Sequence, residues 1–332
     1  MMYLIFVIAA VVTVLAAIKL STYADVIAER SSLGGMMVGT LLLAGATSLP
    51  EVTTSLTAIV VNNPDIAVSN VLGSNLFNLF ILAAMDIYYR RKRIFVHVGL
   101  DHIKTGFISF GLTGIVFIAI LSPSGYHFMN IGLEMYLLVI FYLVSMKLLL
   151  QKPSLEMSEE VAATSEPAYH TRAISLKRAK IGFGLASLII FIAGSMLTIT
   201  GDAIAISSGL GSSFVGTFLI AGATSLPEAV TVIVAIQLAN YQLAVGNIVG
   251  SNLFNLMILA LSDLFFRSGP ILSVVHPVTL ISVSAVLLLN CLVIGVMILS
   301  QTERFRSKLY PVPSTVVIAF YLVCSYMIFH LG

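Results

Sequence analysis

Charge is what this 332-residue chain has least of. Asp, Glu, Lys and Arg together make up 10% of it, against 58% hydrophobic residues, which is too little polar side chain to coat a soluble globule of this size. The shortage makes it a polytopic membrane protein. Cysteine is nearly absent as well: Cys291 and Cys324 both fall in apolar runs, which argues against a disulfide framework or a thiolate metal site and for packing residues. Basic clusters are almost missing, and the single one, Arg90 to Arg93, flanks a hydrophobic run, so it speaks for membrane topology and not for nucleic acid. No basic segment precedes the first apolar run, so residues 2 to 20 read as a retained membrane helix and not as a cleaved leader. The net charge of +2 excludes little.

Long apolar runs are abundant. A helix needs about 20 residues to cross ~30 Å of hydrocarbon, and ten runs qualify: 2–20, 34–61, 66–88, 101–122, 130–150, 177–200, 210–238, 242–265, 273–300 and 313–331. With alternating loops, 16 of the 17 Lys and Arg fall on one side of the membrane and only Arg267 on the other. The positive-inside rule then predicts both termini outside, and the asymmetry supports the count of ten.

Two blocks recur at a fixed offset. Ala44-Gly45-Ala46-Thr47-Ser48-Leu49-Pro50-Glu51 is repeated letter for letter as residues 221–228, and Ala67–Leu79 matches Ala244–Leu256 at ten of thirteen positions without a gap. The offset is the same in both cases, so one unit has been duplicated. Five runs per half is an odd number, and the second half therefore enters the membrane from the opposite face. This predicts an all-α fold of two inverted five-helix repeats, residues 1–150 and 177–332, joined by a cytoplasmic linker at 151–176.

The blocks hold the chemistry. Glu51 and Glu228 are the acidic residues placed deep in apolar runs; the others, Asp86 and Asp263 included, fall in loops or near helix ends. A charge at mid-bilayer costs about 2.5–3.5 kcal/mol on insertion scales. No Lys or Arg shares a predicted helix with either glutamate, so a cation from solution is the natural counter-charge. Pro50 and Pro227 cannot donate to the preceding turn, which predicts released carbonyls around Ala44 to Ala46 and Ala221 to Ala223. Thr47 and Ser48 stand four and three residues from Glu51, and Thr224 and Ser225 likewise from Glu228, so hydroxyls share the carboxylates' side. Asn70, Ser74 and Asn78, with Asn247, Ser251 and Asn255, form a polar stripe at four-residue spacing. All of these are hard oxygen ligands suited to Ca²⁺ or Na⁺, with no imidazole or thiolate among them. The bland readings are a kinked helix with hydrogen-bonded carboxyls, and Ser/Asn glue between helices; identical copies at mirrored positions weigh against the first. Gly73 and Gly250 read as packing residues, Asn75 and Asn252 as glue or as support behind the ligands, and the six histidines as interfacial.

A Gly-x-Thr-Ser-Leu-Pro-Glu element followed by Gly-Ser-Asn-x-x-Asn, present twice, resembles the alpha-repeats of the calcium/cation antiporter superfamily, and most of all the prokaryotic sodium/calcium exchangers. The resemblance implies a central site of Glu51, Glu228 and the carbonyls of Thr47 and Thr224. It implies flanking sodium sites from the carbonyls of Ala44 and Ala221, the hydroxyls of Thr47, Ser48, Thr224 and Ser225, and Ser74 and Ser251, with Asn78 and Asn255 lining a middle position. Asn255 departs from the Asp found in part of the family, which argues against potassium co-transport. The resemblance further implies exchange of about three Na⁺ for one Ca²⁺, one net charge per cycle, worth about 2.3 kcal/mol per 100 mV, as the first helix of each half slides over the remainder. Transported ions and lipid are then the partners, with no resident cofactor. Coupling to H⁺, a channel, or an intramembrane hydrolase with paired acids are the competing readings; a hydrolase gains nothing from oxygen-rich flanks repeated in mirror image.

Overall fold

The computed structural model describes residues 1–30, 45–123, 125–150, 174–302 and 310–331. Ala44, the part of the 34–61 run before residue 45 and the linker up to residue 173 lie outside the described residues. Apart from a two-stranded hairpin, β1 (His127–Phe128) with β2 (Ile131–Gly132), the regular structure is helical. In chain order the helices are α1 (Met2–Arg30), α2 (Leu49–Val60), α3 (Pro64–Tyr88), α4 (Leu100–Leu121), α5 (Leu133–Leu150) and α6 (Leu176–Ser208). The bent pair α7 (Ser212–Thr224) and α8 (Leu226–Gln237) follows, then α9 (Tyr241–Phe265), α10 (Thr279–Leu299) and α11 (Pro311–Leu331). Among the described residues, seven helices are individually long and apolar enough to cross a membrane, and eight if α7 and α8 count as one span.

Two of the predicted runs end too early. The first helix continues from residue 20 to Arg30 and α6 from residue 200 to Ser208, because the polar residues that ended the apolar windows ride on the helix. Ser21 and Thr22 return their hydroxyls to carbonyls four residues back, so their polarity does not interrupt α1.

Packing sets the pair α1 and α6 against each other beside a bundle built on α3 and α9. The apolar window of α3 is 89% buried, against 28% for α1, α4 and α11 and 33% for α6. Leu72, Leu76, Leu79 and Leu82 of α3 join Leu253, Leu256 and Leu259 of α9, Leu112 and Val116 of α4, Val286 and Leu289 of α10 and Val317 of α11 in one large core. Helices α1 and α6 share smaller clusters of their own: Ala16, Ala17, Leu20 and Ala24 against Ala186 and Ile190, and Val26 and Ile27 against Ala179. The pair meets α2 through small and polar side chains. A Cβ on Gly194 would press on Thr53, the Thr57 and Ser195 hydroxyls are 3.0 Å apart, and Thr198 Oγ1 donates to Thr54 O at 3.1 Å.

A close backbone approach fixes the bent pair on the bundle. Residues Val215–Ile220 of α7 form a π-helical segment, and a Cβ on Gly73 of α3 would collide with the Thr217 main chain, 2.5 Å from its Cα. Only glycine allows that contact. Gly73 is thus the packing residue the sequence suggests, whereas a Cβ on Gly250 would meet nothing within 4 Å among the described residues. Cys291 is exposed and Cys324 buried, both as free thiols.

The candidate site at the two helix starts

Each copy of the first block folds into the start of a helix. Ser48 stands at the N-cap position of α2 and Ser225 at that of α8, each followed by a leucine, a proline and then the glutamate in the first turn. Proline is tolerated there because the first turn has no helical acceptor for its missing N–H. Both glutamates therefore lie at the positive end of a helix dipole, which favours an anion. Helices α7 and α8 meet at 42° across Ser225, so the break falls between the hydroxyls and the carboxylate.

Proline does not free the Ala221 carbonyl, however. Ser225 N still donates to Ala221 O at 3.0 Å, and Thr224 Oγ1 donates to it at 3.2 Å. The expectation of a released carbonyl fails at that residue because Pro227 reaches back to Ala223, not to Ala221.

The structure gathers the predicted residues out of water. Thr47, Ser48, Glu51, Ser74, Asn78, Ala221, Thr224, Ser225, Glu228, Ser251 and Asn255 are all buried to within 1%. Thr224, Ser225 and Ser74 lie beside the Glu51 carboxylate, and Glu51 is near enough to Glu228 for their charges to interact. The two halves are thus interleaved: hydroxyls from the second surround the acid of the first.

Within this cluster, ten side-chain oxygens lack a hydrogen-bond partner among the described residues. Both carboxylate oxygens of Glu51 and of Glu228, the hydroxyls of Ser48, Ser225, Ser74 and Ser251, and the Oδ1 atoms of Asn78 and Asn255 have none. Buried polar atoms are otherwise almost always paired. The caps make the point locally: a serine at a helix start ordinarily accepts from the second or third N–H, yet neither Ser48 nor Ser225 does so. Oxygen donors held dry, with lone pairs left uncommitted, are the environment a hard cation needs.

Around this cluster the amide NH₂ groups of Asn70, Asn75 and Asn252 are paired, although Asn70 Oδ1 and Asn247 Nδ2 are not. Asn70 Nδ2 donates to Thr54 Oγ1 at 2.8 Å and Ser55 Oγ at 2.9 Å, bracing α2 against α3, so this member of the predicted stripe holds the scaffold. Asn75 Nδ2 donates to Asn252 O and Asn252 Nδ2 to Asn75 O, both at 3.2 Å. Asn78 Nδ2 donates to Asn252 Oδ1 at 2.9 Å and Asn255 Nδ2 to Asn75 Oδ1 at 3.1 Å. Glue and support behind the site are here the same residues.

Sequence reasoning did not single out a second pair of buried acids. Asp86 and Asp263, related by the same offset as the two blocks, are near helix ends as expected yet 1% and 0% exposed. Asp86 accepts from Tyr310 Oη and from Ser314 Oγ at 2.6 Å. Asp263 accepts from Gly132 N at 2.8 Å and Ile271 N at 2.5 Å. Burial, then the Asp86 charge, raises the Tyr310 hydroxyl far above the ordinary phenol range, so it remains a donor. The constant offset was the signal that could have found this pair.

Apolar helices enclosing a cluster of buried oxygen-bearing side chains define a multi-pass membrane protein, and the family it matches is one of transporters and not of enzymes. The chain belongs to the family described as sodium/calcium exchanger protein, which it matches over residues 1–151 and 179–330. It is 30% identical over 242 residues to the putative antiporter CaxA of Alkalimonas amylolytica, covering 70% of this chain and 71% of that one. It is 26% identical over 236 residues to the inner membrane protein YrbG of Escherichia coli K12, covering 71% and 70%. Among solved structures, native YfkE shares the fold with a TM-score of 0.65 at 16% identity, covering 98% of this chain and 91% of that one. The sodium-calcium exchanger NCX_Mj does so with a TM-score of 0.59 at 19% identity, covering 97% and 98%.

Proposed function

We propose that this protein is a secondary antiporter that exchanges Na⁺ for Ca²⁺ by alternating access. In this reading Glu51 and Glu228 carry the Ca²⁺, with Thr47, Ser48, Ser74, Asn78 and their mirror residues Thr224, Ser225, Ser251 and Asn255 completing its oxygen shell and the sodium sites beside it. Ala44 and Ala221 contribute carbonyls at the flanks; two hydrogen bonds already occupy the Ala221 carbonyl, so the Thr224 hydroxyl turns away to free a lone pair for the ion. The observation that carries the proposal is the four carboxylate oxygens buried without a hydrogen-bond donor. Two negative charges in that setting are tolerable only when a cation neutralises them, and Ca²⁺ matches both the charge and the hardness of the donors. Sodium competes for the same oxygens, so a site that holds one ion releases the other. The names of NCX_Mj and CaxA support exchange and antiport.

We further infer ten spans in two inverted halves, with both termini outside an inner membrane. Contacts between connecting segments support this, since they sort into two sets. Lys92 Nζ donates to Ile236 O, His102 pairs with Gln242 O and Gln301 with Val98 O, all from the side expected to be cytoplasmic. Asn63 bonds Asp202 and Ser212, His276 N bonds Asp65, and Gly132 N bonds Asp263, all from the other. The mirrored left-handed residues Asn62 (φ 59°) and Ala239 (φ 58°) support the repeat as well. Movement of α1 and α6 over the bundle is the motion that alternates access, favoured by the small apolar clusters the two share and their small-residue contacts with α2.

⁴⁵Ca²⁺ uptake into proteoliposomes with the internal cation varied among Na⁺, K⁺ and H⁺ tests the function. Uptake driven only by internal Na⁺, and sensitive to membrane potential, is the expected result; uptake indifferent to Na⁺ refutes it. One observation favours H⁺ as a rival coupling ion: with two like charges side by side, a proton is the other cation able to neutralise one. Uptake that follows a pH gradient alone would decide for it.

A further inference from the structure

We infer that Asn75 and Asn252 are positioning residues that determine which end of the Asn78 and Asn255 amides faces the transported ion. The inference rests on the site proposed above and extends it to two residues that do not themselves line it. An asparagine amide presents either an acceptor oxygen or a donor NH₂, and only the oxygen can coordinate a cation. At Asn78 and Asn255 the choice is made by a ring that Asn75 and Asn252 close between them, to which Asn78 and Asn255 are each bonded from outside.

The ring is anchored on two main-chain carbonyls. Asn75 Nδ2 donates to Asn252 O and Asn252 Nδ2 donates to Asn75 O, each at 3.2 Å. A carbonyl can only accept, so these bonds settle that each of the two asparagines turns its NH₂ towards the partner's backbone. Each Oδ1 is then committed to the remaining contact. Asn75 Oδ1 takes the NH₂ of Asn255 at 3.1 Å, and Asn252 Oδ1 takes the NH₂ of Asn78 at 2.9 Å. With their NH₂ groups consumed, Asn78 and Asn255 are left with Oδ1 atoms that are buried and bonded to nothing in the protein. Reversing either amide would set oxygen against oxygen at about 3 Å, with no water able to intervene in a dry core.

The arrangement obeys the repeat offset bond for bond, because the bonds made by each asparagine in one half are made again by its equivalent in the other. It couples α3 to α9 across the pseudo-symmetry axis with both acceptor oxygens presented together. It also opposes a negative group at either position: a carboxylate at 255 would meet Asn75 Oδ1, and one at 78 would meet Asn252 Oδ1, acceptor against acceptor. The ring thereby keeps the two acids at Glu51 and Glu228 as the charge of the site, with a neutral middle position between the halves.

A double-mutant cycle separates this role from ordinary helix packing. Equilibrium ⁴⁵Ca²⁺ binding to the purified full-length chain in nanodiscs, without Na⁺, is measured for wild type, Asn75→Ala, Asn255→Ala and the double variant. Asn75→Ala is expected to raise Kd about tenfold in the wild-type background, yet less than twofold where Asn255→Ala has already removed the amide that Asn75 orients. An equal loss in both backgrounds, or no loss in the wild type, overturns the inference. If Asn75→Ala does not yield folded protein, the mirror cycle of Asn252→Ala with Asn78→Ala asks the same question. A Glu51→Gln control keeps the two levels apart. Binding that survives it removes the site reading itself, whereas binding that is lost, together with a cycle showing no coupling, removes only the role of the ring.

Discussion

Two pairs of buried acids are each related by the repeat offset of this chain, and they are treated in opposite ways. Asp86 and Asp263 have donors on both oxygens, from Tyr310 and Ser314 in one half and from the Gly132 and Ile271 amides in the other. Glu51 and Glu228 have no hydrogen-bond partner on any. Both pairs are dry, so burial alone does not distinguish a structural carboxylate from one that handles ions. The difference lies in where the donors are. The aspartates sit near the C-terminal ends of α3 and α9, beside turns whose free amides can bend back to them; the Ile94–His97 and Ile271–Ser273 turns occupy mirrored positions. Around the glutamates, Thr54 donates to Pro50 O, Thr224 to Ala221 O, and Asn78 and Asn255 to the amide ring, while the Ser48, Ser74, Ser225 and Ser251 hydroxyls are committed to no other acceptor. A carboxylate with donors is finished as a structure; one without them has charge left for a ligand.

The largest test of this contrast is charge removal. Glu51→Gln and Glu228→Gln should each abolish Na⁺-driven ⁴⁵Ca²⁺ uptake, by about 100-fold or more, since half of the site's charge is lost where water cannot replace it. The folded state should survive or gain, because an unpaired buried acid is removed; melting temperature without Ca²⁺ reads this. Asp86→Ala should do the reverse, leaving Ca²⁺ affinity within about twofold while lowering stability by about 2–3 kcal/mol, as the Tyr310 and Ser314 hydroxyls lose their acceptor. A Ca²⁺ affinity that fell with Asp86→Ala would erase the distinction.

Smaller effects sharpen it. Tyr310→Phe keeps the ring and removes one donor, so it should cost about 1 kcal/mol in thermal unfolding, with transport unchanged. Ser225→Ala removes an unpartnered hydroxyl beside Glu51; it should weaken half-saturating Na⁺ about threefold in flux assays while leaving the melting temperature within a few degrees, because no hydrogen bond is broken. Were the stability to fall instead, Ser225 would be a structural cap after all.

How much is legible in the residues varies from place to place. The membrane class, the duplication and the block of Thr, Ser, Pro and Glu can be read directly, since apolar length and identity at a fixed offset are properties of a string. Helix ends such as Arg30 and Ser208 cannot, because a Ser or Thr that bonds its own helix looks, in sequence, like the start of a loop. The Ala221 carbonyl is missed because the proline's reach of four residues stops short of it. The Asp86 and Asp263 pair looks peripheral in sequence because distance from a helix end measures depth along the chain and not coverage by neighbours. The groups that cover Asp86, Tyr310 and Ser314, arrive from 224 and 228 residues further along.

The sequence by itself determined that two acids and a set of oxygen-bearing side chains would lie in apolar runs, and that the block holding them is written twice. Tertiary structure decided which of these groups are left unsatisfied. Composition fixes how many donors and acceptors a segment carries, but whether a given acceptor finds a donor depends on groups that folding brings from the opposite half. That is why Asn75, 180 residues from Asn255 in the chain, decides which way the Asn255 oxygen points.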